Sequence, residues 1–346
     1  FSMAPSPAFA VSQPLMAHGL GRALPFSAPP QHMWARSHQI TSMAAHRRGA
    51  RGGGGGGQPR GRRGLTSERN QERAAPGSNA RLAYKHSFHA GNTADCFKHA
   101  LLLMTLRAML RKDAPVTYVD THSGGGMYDL ESQDGSRLRE WEFGIQRMMG
   151  ADEGPIGELT SYVRRLNDAE GGMRLYPGSP MVAAEVLRGG GCDNMVLFEK
   201  DPTTHSELEE ALAPLSSGSL APEVRTECAD GFRALTKQTS RLSHRRGLVF
   251  VDPAYQDGAD LERTVRLAGH LRTSWRAARM AVWYPVRPEL SAKVDGLHQG
   301  LREALPGVGI LAAGITLPPE PGFEGGSPRT PPVLVPCSVG VLLTIW

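Results

Sequence analysis

A carboxylate, a rigid main-chain carbonyl and an aromatic ring occur together in the segment Asp252-Pro253-Ala254-Tyr255. An amine conjugated to an aromatic ring is a poor nucleophile because its lone pair is delocalised. Two acceptors for its hydrogens, the Asp252 carboxylate and the Pro253 carbonyl, favour a reactive geometry and accept developing positive charge. The face of Tyr255 can hold a flat base by stacking. The alternative is a plain turn that ends a strand, with Tyr255 packed on the surface.

Residues 246–251 predict a strand that presents this motif at the edge of a sheet. Four consecutive apolar residues, two of them valine, follow Gly247, as is typical of a strand buried on both faces. The strand is expected to stop at Asp252, because proline lacks an N–H and disfavours helix in the residue before it. Open α/β sheets bind ligands at the carboxyl ends of their strands. The motif therefore lies where a ligand is expected.

Acidic residues also stand at the carboxyl ends of other predicted strands. A carboxylate in that position can accept both hydroxyl groups of a ribose. Three glycines, 124–126, follow the first of these strands, and glycines let the backbone approach a ligand closely. The turn matches neither the G-x-G-x-x-G fingerprint nor a P-loop, so a plain turn is the alternative. The strands and their acids are 116–120 with Asp120, 194–199 with Glu199, and 224–228 with Asp230.

Helical patterns alternate with these strands, which predicts a doubly wound sheet with right-handed crossovers. A histidine-rich loop at 84–92 leads into a helix that ends near Lys112, with Asn92 or Thr93 as its N-cap. Ser179 is predicted as the N-cap of another helix, entered through a rigid turn. The apolar spacing of the first helix predicts a buried face of Phe97, Leu101, Met104 and Ala108. Further predicted elements are a helical insertion at about 131–172, a strand at 280–286, and a closing hairpin of 314–317 with 339–346.

Three histidines, His86, His89 and His99, with Asp95 among them, raise the alternative of a metal site. The first two lie in a predicted loop, and no carboxylate-rich strand end completes an obvious ligand set, so we predict no metal. Packed or hydrogen-bonded histidines are the commoner case, and a role facing a nucleotide is a third interpretation. The chain has four cysteines and no CxxC pair. This pattern predicts reduced thiols rather than disulfides or zinc.

Residues 1–80 differ in composition from the rest of the chain. They contain ten arginines and two acidic residues, so they carry a charge of +8, and residues 81–346 carry −3 of the total +5. The basic character belongs to this segment and says nothing about nucleic-acid binding by the remainder. With a run of glycines at 52–57 and few apolar residues, the segment is expected to be disordered.

The composition of residues 1–80 predicts an organellar transit peptide, and its length and hydroxyl content favour the chloroplast over the mitochondrion. An RGG-like arm that binds RNA is the alternative. The chain begins with Phe1 rather than Met, so the natural start is expected to lie upstream. It contains no run of eighteen apolar residues, and no membrane span is expected.

From about residue 82 the chain resembles the methyltransferase J family of bacterial-type large-subunit ribosomal RNA adenine methyltransferases. The resemblance implies an α/β fold of class I, S-adenosylmethionine-dependent type: a Rossmann-like doubly wound sheet with a small helical insertion, spanning 81–346. The sequence blocks that carry the resemblance follow the family's order and are 84–92, 120–122, 176–180, 229–232, 252–255 and 283–285.

The resemblance also implies the reaction: in-line methylation, without metal, of the exocyclic amine of one adenine in large-subunit (23S-type) rRNA. Asp252 would be the acceptor for the substrate amine. Tyr84 would contact the target adenine, while His86 and Lys98, together with Pro253 and Tyr255, would line the substrate site. S-adenosyl-L-methionine would be bound by His99, His122, Ser179, Glu199, Asp230 and Gly231. The expected partner is protein-free or early-assembly rRNA, and the protein is expected to be a monomer.

Two departures from the family pattern affect these expectations. Ala254 replaces the second proline of the usual Asp-Pro-Pro-Tyr motif, which predicts a looser loop with its chemistry kept. The chain ends at Trp346 on a late strand where the family continues, so truncation is expected. Three rival functions stay open at this point: methylation of DNA adenine or a glutamine amide, a non-catalytic RNA-binding or assembly factor, and a histidine-metal hydrolase.

Overall fold

The structure is a computed structural model of the chain. The predicted leader 1–80, Tyr84 and the end of the chain at Trp346 lie outside the described residues, so the predictions made for them are not tested. The residues that the structure describes are 86–132, 139–168, 171–188, 194–216, 222–255, 259–286, 290–316 and 338–345.

A seven-stranded sheet forms the centre of the described chain, in the order β5-β4-β1-β6-β7-β9-β8. The first five strands in that order are parallel, whereas β9 pairs antiparallel with both β7 and β8. A separate antiparallel pair joins β2 and β3. The strands are β1 (Val116–Asp120), β2 (Met127–Asp129), β3 (Leu175–Pro177), β4 (Asn194–Glu199), β5 (Glu223–Cys228), β6 (Arg246–Val251), β7 (Ala278–Val286), β8 (Gly309–Thr316) and β9 (Ser338–Ile345).

The helices alternate with the strands of the sheet, so the predicted doubly wound α/β fold is confirmed. The predicted insertion is helical as well, and α2 and α3 lie within it. Short 3₁₀ turns occur at His86–Phe88, Glu140–Glu142 and Ala213–Ser216. The helices are α1 (Thr93–Leu110), α2 (Ile145–Met148), α3 (Gly154–Asn167), α4 (Ser179–Leu187), α5 (Pro202–Leu212), α6 (Gly231–Leu242), α7 (Ala259–Ser274) and α8 (Ser291–Ala304). Within the described residues, no helix combines the length and apolar character that crossing a membrane requires.

The strand order reverses at β1, which has β4 on one side and β6 on the other. Ligands of open α/β sheets bind at such a switch point, outside the carboxyl ends of the strands. All five residues of β1 and the last five of β6 are buried, as is typical of strands covered on both faces, and the last four residues of β6 form a continuous apolar run. Gly247 is required at the start of β6, because a Cβ there would lie 2.2 Å from the Trp275 ring.

Three local predictions are wrong. The buried face of α1 is not the predicted one: Met104 is 50% exposed, whereas Leu102, Leu103, Leu106 and Met109 are buried, together with Asp95, Lys98 and His99. Gly178, not Ser179, is the N-cap of α4, because the hydroxyl of Ser179 donates instead to Asp120. The turn predicted at 176–180 is in part strand β3, which pairs with β2.

Other local predictions are confirmed. Asn92 caps α1 by accepting a hydrogen bond from Asp95 N at 2.8 Å. The strands β4, β5 and β7 lie where they were predicted, and β8 and β9 form the closing hairpin. The hairpin begins earlier than predicted, at Gly309.

Candidate active site

Asp252 follows the last residue of β6, at the carboxyl edge next to β1. Its Oδ2 accepts a hydrogen bond from Lys98 Nζ at 2.8 Å. Lys98 projects from α1, and its side chain is only 4% exposed. An ammonium this deeply buried needs a carboxylate partner. The structure therefore brings together two residues predicted for the substrate site from parts of the sequence 154 positions apart.

The ammonium of Lys98 has a second carboxylate partner, Asp95, whose Oδ1 also lies 2.8 Å from Nζ. His86 Nε2 lies 3.4 Å from the same oxygen of Asp95. Burial by itself raises the pKa of Asp95, but Lys98, His99 and His86 hold that pKa well below its usual value. The cluster is thus ionic, and we call Asp95, Lys98 and Asp252 the substrate side of the site.

Asp120, at the end of β1, is held by neutral donors. Its Oδ2 accepts hydrogen bonds from Tyr118 Oη and Ser179 Oγ, both at 2.7 Å, and its Oδ1 accepts one from His122 N at 3.1 Å. Burial raises the pKa of Asp120 to about 6, although the bonds from Ser179 and Tyr118 act to lower it. Ser179 is therefore at the site as predicted, with its hydroxyl bound to this carboxylate.

The glycine turn after β1 reaches the end of β4. Gly124 N donates to Glu199 Oε2 at 3.0 Å, and Asp201 N donates to Glu199 Oε1 at 2.9 Å. Gly124 has φ of +62°, a conformation that favours glycine. A carboxylate offers about four acceptor positions, so Glu199 keeps capacity for two hydroxyl groups of a ligand. Its predicted role in holding a ribose is compatible with this geometry.

Asp230 and Gly231 stand at the beginning of α6, beside the end of β1. Asp230 caps the helix, accepting from Arg233 N at 3.0 Å, and also pairs with Arg263. Partial burial acts to raise the pKa of Asp230, but the bond from Arg263 holds that pKa below its usual value. A Cβ on Gly231 would lie 2.0 Å from Thr121 O. Only glycine allows this close approach of α6 to β1.

The two histidines predicted to bind the cofactor, the buried His99 and the half-buried His122, are neutral at physiological pH. Burial lowers the pKa of His99 to about 4, although Asp95 attracts the charged form. Burial likewise lowers the pKa of His122 to about 4, against the attraction of Asp252 and Asp230. Carboxylates at the end of β6 and at the beginning of α6 therefore both act on the pKa of His122. Its ring contacts the Phe232 ring edge-on, with centroids 4.9 Å apart. We call Asp120, Glu199 and Asp230 the cofactor side of the site.

His99 has one ring nitrogen engaged and one without a hydrogen bond. Nδ1 lies 2.9 Å from Tyr176 Oη, and the two rings stack with centroids 5.6 Å apart. Within the described residues, Nε2 is buried without a hydrogen-bond partner. Nε2 lies 3.8 Å from Asp95 Oδ1, beyond hydrogen-bond distance, so a polar ligand atom can satisfy it.

The remaining residues of the motif pack beside β7. The Tyr255 hydroxyl donates to Trp283 O, and Tyr255 has φ of +53°. For a bulky residue this left-handed conformation is unusual and is commonly found at functional sites. Pro253 is buried and Ala254 is exposed. The stacking role predicted for Tyr255 stays a prediction, because its ring also packs against the core.

Two of the three histidines of the alternative metal site share a partner: His86 Nε2 lies 3.4 Å and His99 Nε2 lies 3.8 Å from Asp95 Oδ1. His86 faces Asp95, whereas His89 Nδ1 lies 2.9 Å from Glu140 Oε2. His99 stacks on Tyr176. Over the described ranges, no group of three or more His, Cys, Asp or Glu side chains is arranged to hold a metal ion.

Sequence reasoning did not assign four residues that the structure brings to the site: Asp95, Tyr118, Glu140 and Arg263. The spacing of Asp95 and Lys98, three residues apart on a helix, was a usable signal for an ion pair. The positions of Glu140 and Arg263 depend on contacts between distant elements, and no local pattern in the sequence indicates them.

The donor set fits S-adenosylmethionine, which combines a ribose, a base and a positively charged sulfur. Glu199 can accept ribose hydroxyls, and the unpaired His99 Nε2 can bond a polar ligand atom. Two carboxylates and one ammonium give the substrate side a net charge of −1, which complements a sulfonium. Fold and site together define a class I methyltransferase.

Comparisons with known proteins lead to a family. A family model described as ribosomal RNA large subunit methyltransferase D, RlmJ, matches residues 113–322. The ribosomal RNA large subunit methyltransferase J of Escherichia coli (strain K12) is 34% identical over 231 residues, or 65% of this chain and 78% of the relative. Its Haemophilus influenzae counterpart is 34% identical over 229 residues, with the same shares covered.

A solved structure agrees with these sequence comparisons. The crystal structure of a Legionella pneumophila protein matches with a TM-score of 0.57 and 26% identity, covering 74% of this chain and 86% of that one. The chain belongs to the RlmJ family of ribosomal RNA large subunit methyltransferases. It is an S-adenosylmethionine-dependent methyltransferase, and the predicted class I fold and cofactor are confirmed.

Proposed function

We propose that this enzyme methylates the exocyclic N6 amine of one adenine in large-subunit rRNA. The relatives' names supply the class of RNA. The observation that carries the choice of an amine is the Asp252–Pro253 turn at the switch point, where a carboxylate and a main-chain carbonyl stand at the end of β6. Such a pair can accept both hydrogens of an aromatic amine.

In this proposal each side of the site has one task. The cofactor supplies a methyl group on a positively charged sulfur. Glu199, Asp230 and His99 hold it, while Asp252 accepts a hydrogen bond from the amine and stabilises the charge that develops there. Lys98 occupies Oδ2 of Asp252 and leaves acceptor positions on that carboxylate for the amine.

The substrate adenine has to leave its stack to reach this edge of the sheet. Tyr84 and His86 are proposed to receive it, together with Tyr255. His86 suits this role because it lies beside Asp95 and its ring contacts Tyr128 edge-on, with centroids 5.0 Å apart. Protein-free or early-assembly rRNA is the proposed substrate, because a flipped base needs unobstructed access, and the enzyme is proposed to act as a monomer.

A methylation assay on protein-free large-subunit rRNA tests the proposed function. With labelled S-adenosylmethionine, we expect one labelled adenine, mapped by nuclease digestion and mass spectrometry. Duplex DNA and a glutamine-containing peptide, tested in parallel, should remain unlabelled. Label on either of these instead of rRNA would contradict the substrate assignment. Cofactor binding by calorimetry without any transfer would favour a non-catalytic RNA-binding or assembly factor.

We also propose that the protein works in an organelle, with the chloroplast favoured over the mitochondrion. The arginine-rich, acid-poor composition of residues 1–80 supports this proposal. A fluorescent reporter fused behind residues 1–80 should be imported into plastids. A reporter that stays in the cytosol would contradict the proposal, and one that binds RNA there would favour the arginine-glycine arm.

A further inference from the structure

One buried carboxylate on the substrate side has no part in the reaction described so far. Asp95 lies on the first turn of α1, and its side chain is 3% exposed. Its Oδ2 accepts a hydrogen bond from Gly91 N at 3.0 Å. Its Oδ1 faces the ammonium of Lys98 and the ring of His86. Asp95 therefore connects the loop that carries His86 with the ammonium that reaches Asp252.

The two carboxylates hold the ammonium symmetrically. Lys98 Nζ lies 2.8 Å from Asp95 Oδ1 and 2.8 Å from Asp252 Oδ2. Without Asp95, a lysine buried to this degree would pair more closely with Asp252. The cluster would then be neutral, and the oxygen atoms of Asp252 would be weaker acceptors for an amine that gains positive charge.

We propose that Asp95 is a positioning residue for methyl transfer: by sharing the Lys98 ammonium, it keeps Asp252 available as the acceptor for the substrate amine. This inference rests on the proposed adenine methylation. Asp95 acts through Lys98 and does not itself touch the amine. Its effect belongs to the chemical step, not to the binding of either substrate.

The variant Asp95→Asn distinguishes an effect on the chemical step from an effect on the binding of either substrate. Its amide oxygen can still accept the hydrogen bond from Gly91 N, whereas its amide nitrogen cannot attract an ammonium. We expect kcat for rRNA methylation to fall at least about tenfold, while the KM for rRNA and the Kd for S-adenosylmethionine stay within about threefold. A kcat equal to that of the wild type would overturn the proposal.

A matched control is Asp152→Asn. It removes a carboxylate that pairs with Arg164 at 3.0 Å on the helical insertion, where the Asp152 side chain is 76% exposed. Exposed pairs of this kind contribute little. We expect this variant to keep the wild-type kcat, KM and cofactor affinity, which would show that the loss of an ion pair elsewhere does not reproduce the effect.

A stability cycle tests the same contact independently of catalysis. Lys98→Met leaves Asp95 and Asp252 without their shared cation, so its melting temperature should fall. Adding Asp95→Asn removes one of the two uncompensated charges, so the double variant should melt at a higher temperature than Lys98→Met. If Asp95 did not share the ammonium, the second substitution would leave the melting temperature equal to or below that of Lys98→Met, which would refute the proposal even if Asp95→Asn alone did not fold.

The two proposals fail in different ways. A wild-type enzyme that binds S-adenosylmethionine and does not label rRNA contradicts the proposed function, and the stability cycle still tests the role of Asp95. An active wild type with an equally active Asp95→Asn variant contradicts the role of Asp95 alone.

Discussion

The two sides of the site hold their acids with different kinds of partner. On the cofactor side, Glu199 accepts hydrogen bonds from two backbone N–H groups, and Asp120 accepts from two hydroxyls and one backbone N–H. Asp230 is the exception on this side, because it also pairs with Arg263. On the substrate side, Asp95 and Asp252 share one ammonium. Neutral donors orient a carboxylate and leave its charge intact, whereas an ammonium also sets the net charge of its surroundings.

This difference has a consequence for function. The backbone donors of the cofactor side belong to the sheet edge itself, because the turn after β1 reaches the end of β4. The ion cluster of the substrate side depends on α1 packing across the end of β6. Changes on the cofactor side should therefore alter binding, and changes on the substrate side should alter the chemical step.

The largest effect is expected for Asp252→Ala. Removing the acceptor for the amine should lower kcat for rRNA methylation by about 10³-fold, as when a preorganised group at a developing charge is lost. The Kd for S-adenosylmethionine, measured by calorimetry, should change by less than about threefold. If the variant kept near-normal turnover, methyl transfer could not depend on the substrate side of the site.

The reverse pattern is expected for Glu199→Ala. The loss of an acceptor for ribose hydroxyls, and of the anchor for Gly124 N, should raise the Kd for S-adenosylmethionine roughly 10- to 100-fold. At saturating cofactor, kcat should return to within about threefold of wild type. The control is Glu209→Ala, which removes an exposed carboxylate that accepts a hydrogen bond from Thr226 on β5 and lies 3.8 Å from His205 Nδ1. A loss of kcat that excess cofactor does not restore would show that Glu199 also acts on the chemical step, which would contradict the distinction between the two sides.

The lowered pKa values of two histidines make the free energy of unfolding depend on pH. The pKa values of His99 and His122 are about 4, below the value of about 6.5 in an unfolded chain. The stability that comes from their neutral forms is complete above about pH 6.5 and is lost as the pH falls towards 4. Asp120, with a pKa of about 6, acts in the opposite direction between about pH 6 and 4 and offsets one histidine.

The free energy of unfolding should therefore fall by roughly 1 kcal/mol per pH unit between about pH 6 and 4, as measured by urea titration. His99→Gln should remove most of this slope, because His122 and Asp120 then offset each other. His244→Gln, at an exposed ring, is the control. An unchanged slope in His99→Gln would show that the charge balance of the site does not depend on this histidine.

The sheet and its acids were predictable because the signals are local. The Val-Thr-Tyr-Val segment of β1 and the four consecutive apolar residues of β6 indicate strands buried on both faces, and the acids at their ends lie at the carboxyl edge by topology. The residues of β2 and β3 gave no usable signal, since each strand is three residues long. Nothing in such a short segment distinguishes a strand from a turn.

The burial of Asp95, Lys98 and His99 on α1 was not predictable from apolar spacing, which assumes that buried positions are apolar. Here Lys98 is buried because its partner Asp252 lies 154 residues further along the chain. Ser179 was misread as an N-cap for the same reason, since its hydroxyl bonds Asp120, 59 residues away. In both cases a contact between distant elements overrides the local preference, and both contacts lie at the candidate site.

The smallest effect is expected where the insertion meets the loop that carries His86. Glu140 Oε2 lies 2.9 Å from His89 Nδ1 and 2.8 Å from Asn92 Nδ2. Burial acts to raise the pKa of Glu140, but the hydrogen bonds to His89 and Asn92 hold that pKa below its usual value. Glu140→Gln keeps one acceptor and removes the charge, so the KM for rRNA should rise about threefold, as suits a half-exposed pair.

The matched control for that variant is Glu142→Gln, on the same 3₁₀ turn, because Glu142 pairs with Arg139. This control should leave the KM for rRNA unchanged, and neither variant should alter the Kd for S-adenosylmethionine. If Glu140→Gln weakened cofactor binding instead, the loop at 86–92 would serve both sides of the site at once. The separation between a cofactor side that affects binding and a substrate side that affects the chemical step would then not hold for α1, the helix from which both Lys98 and His99 project.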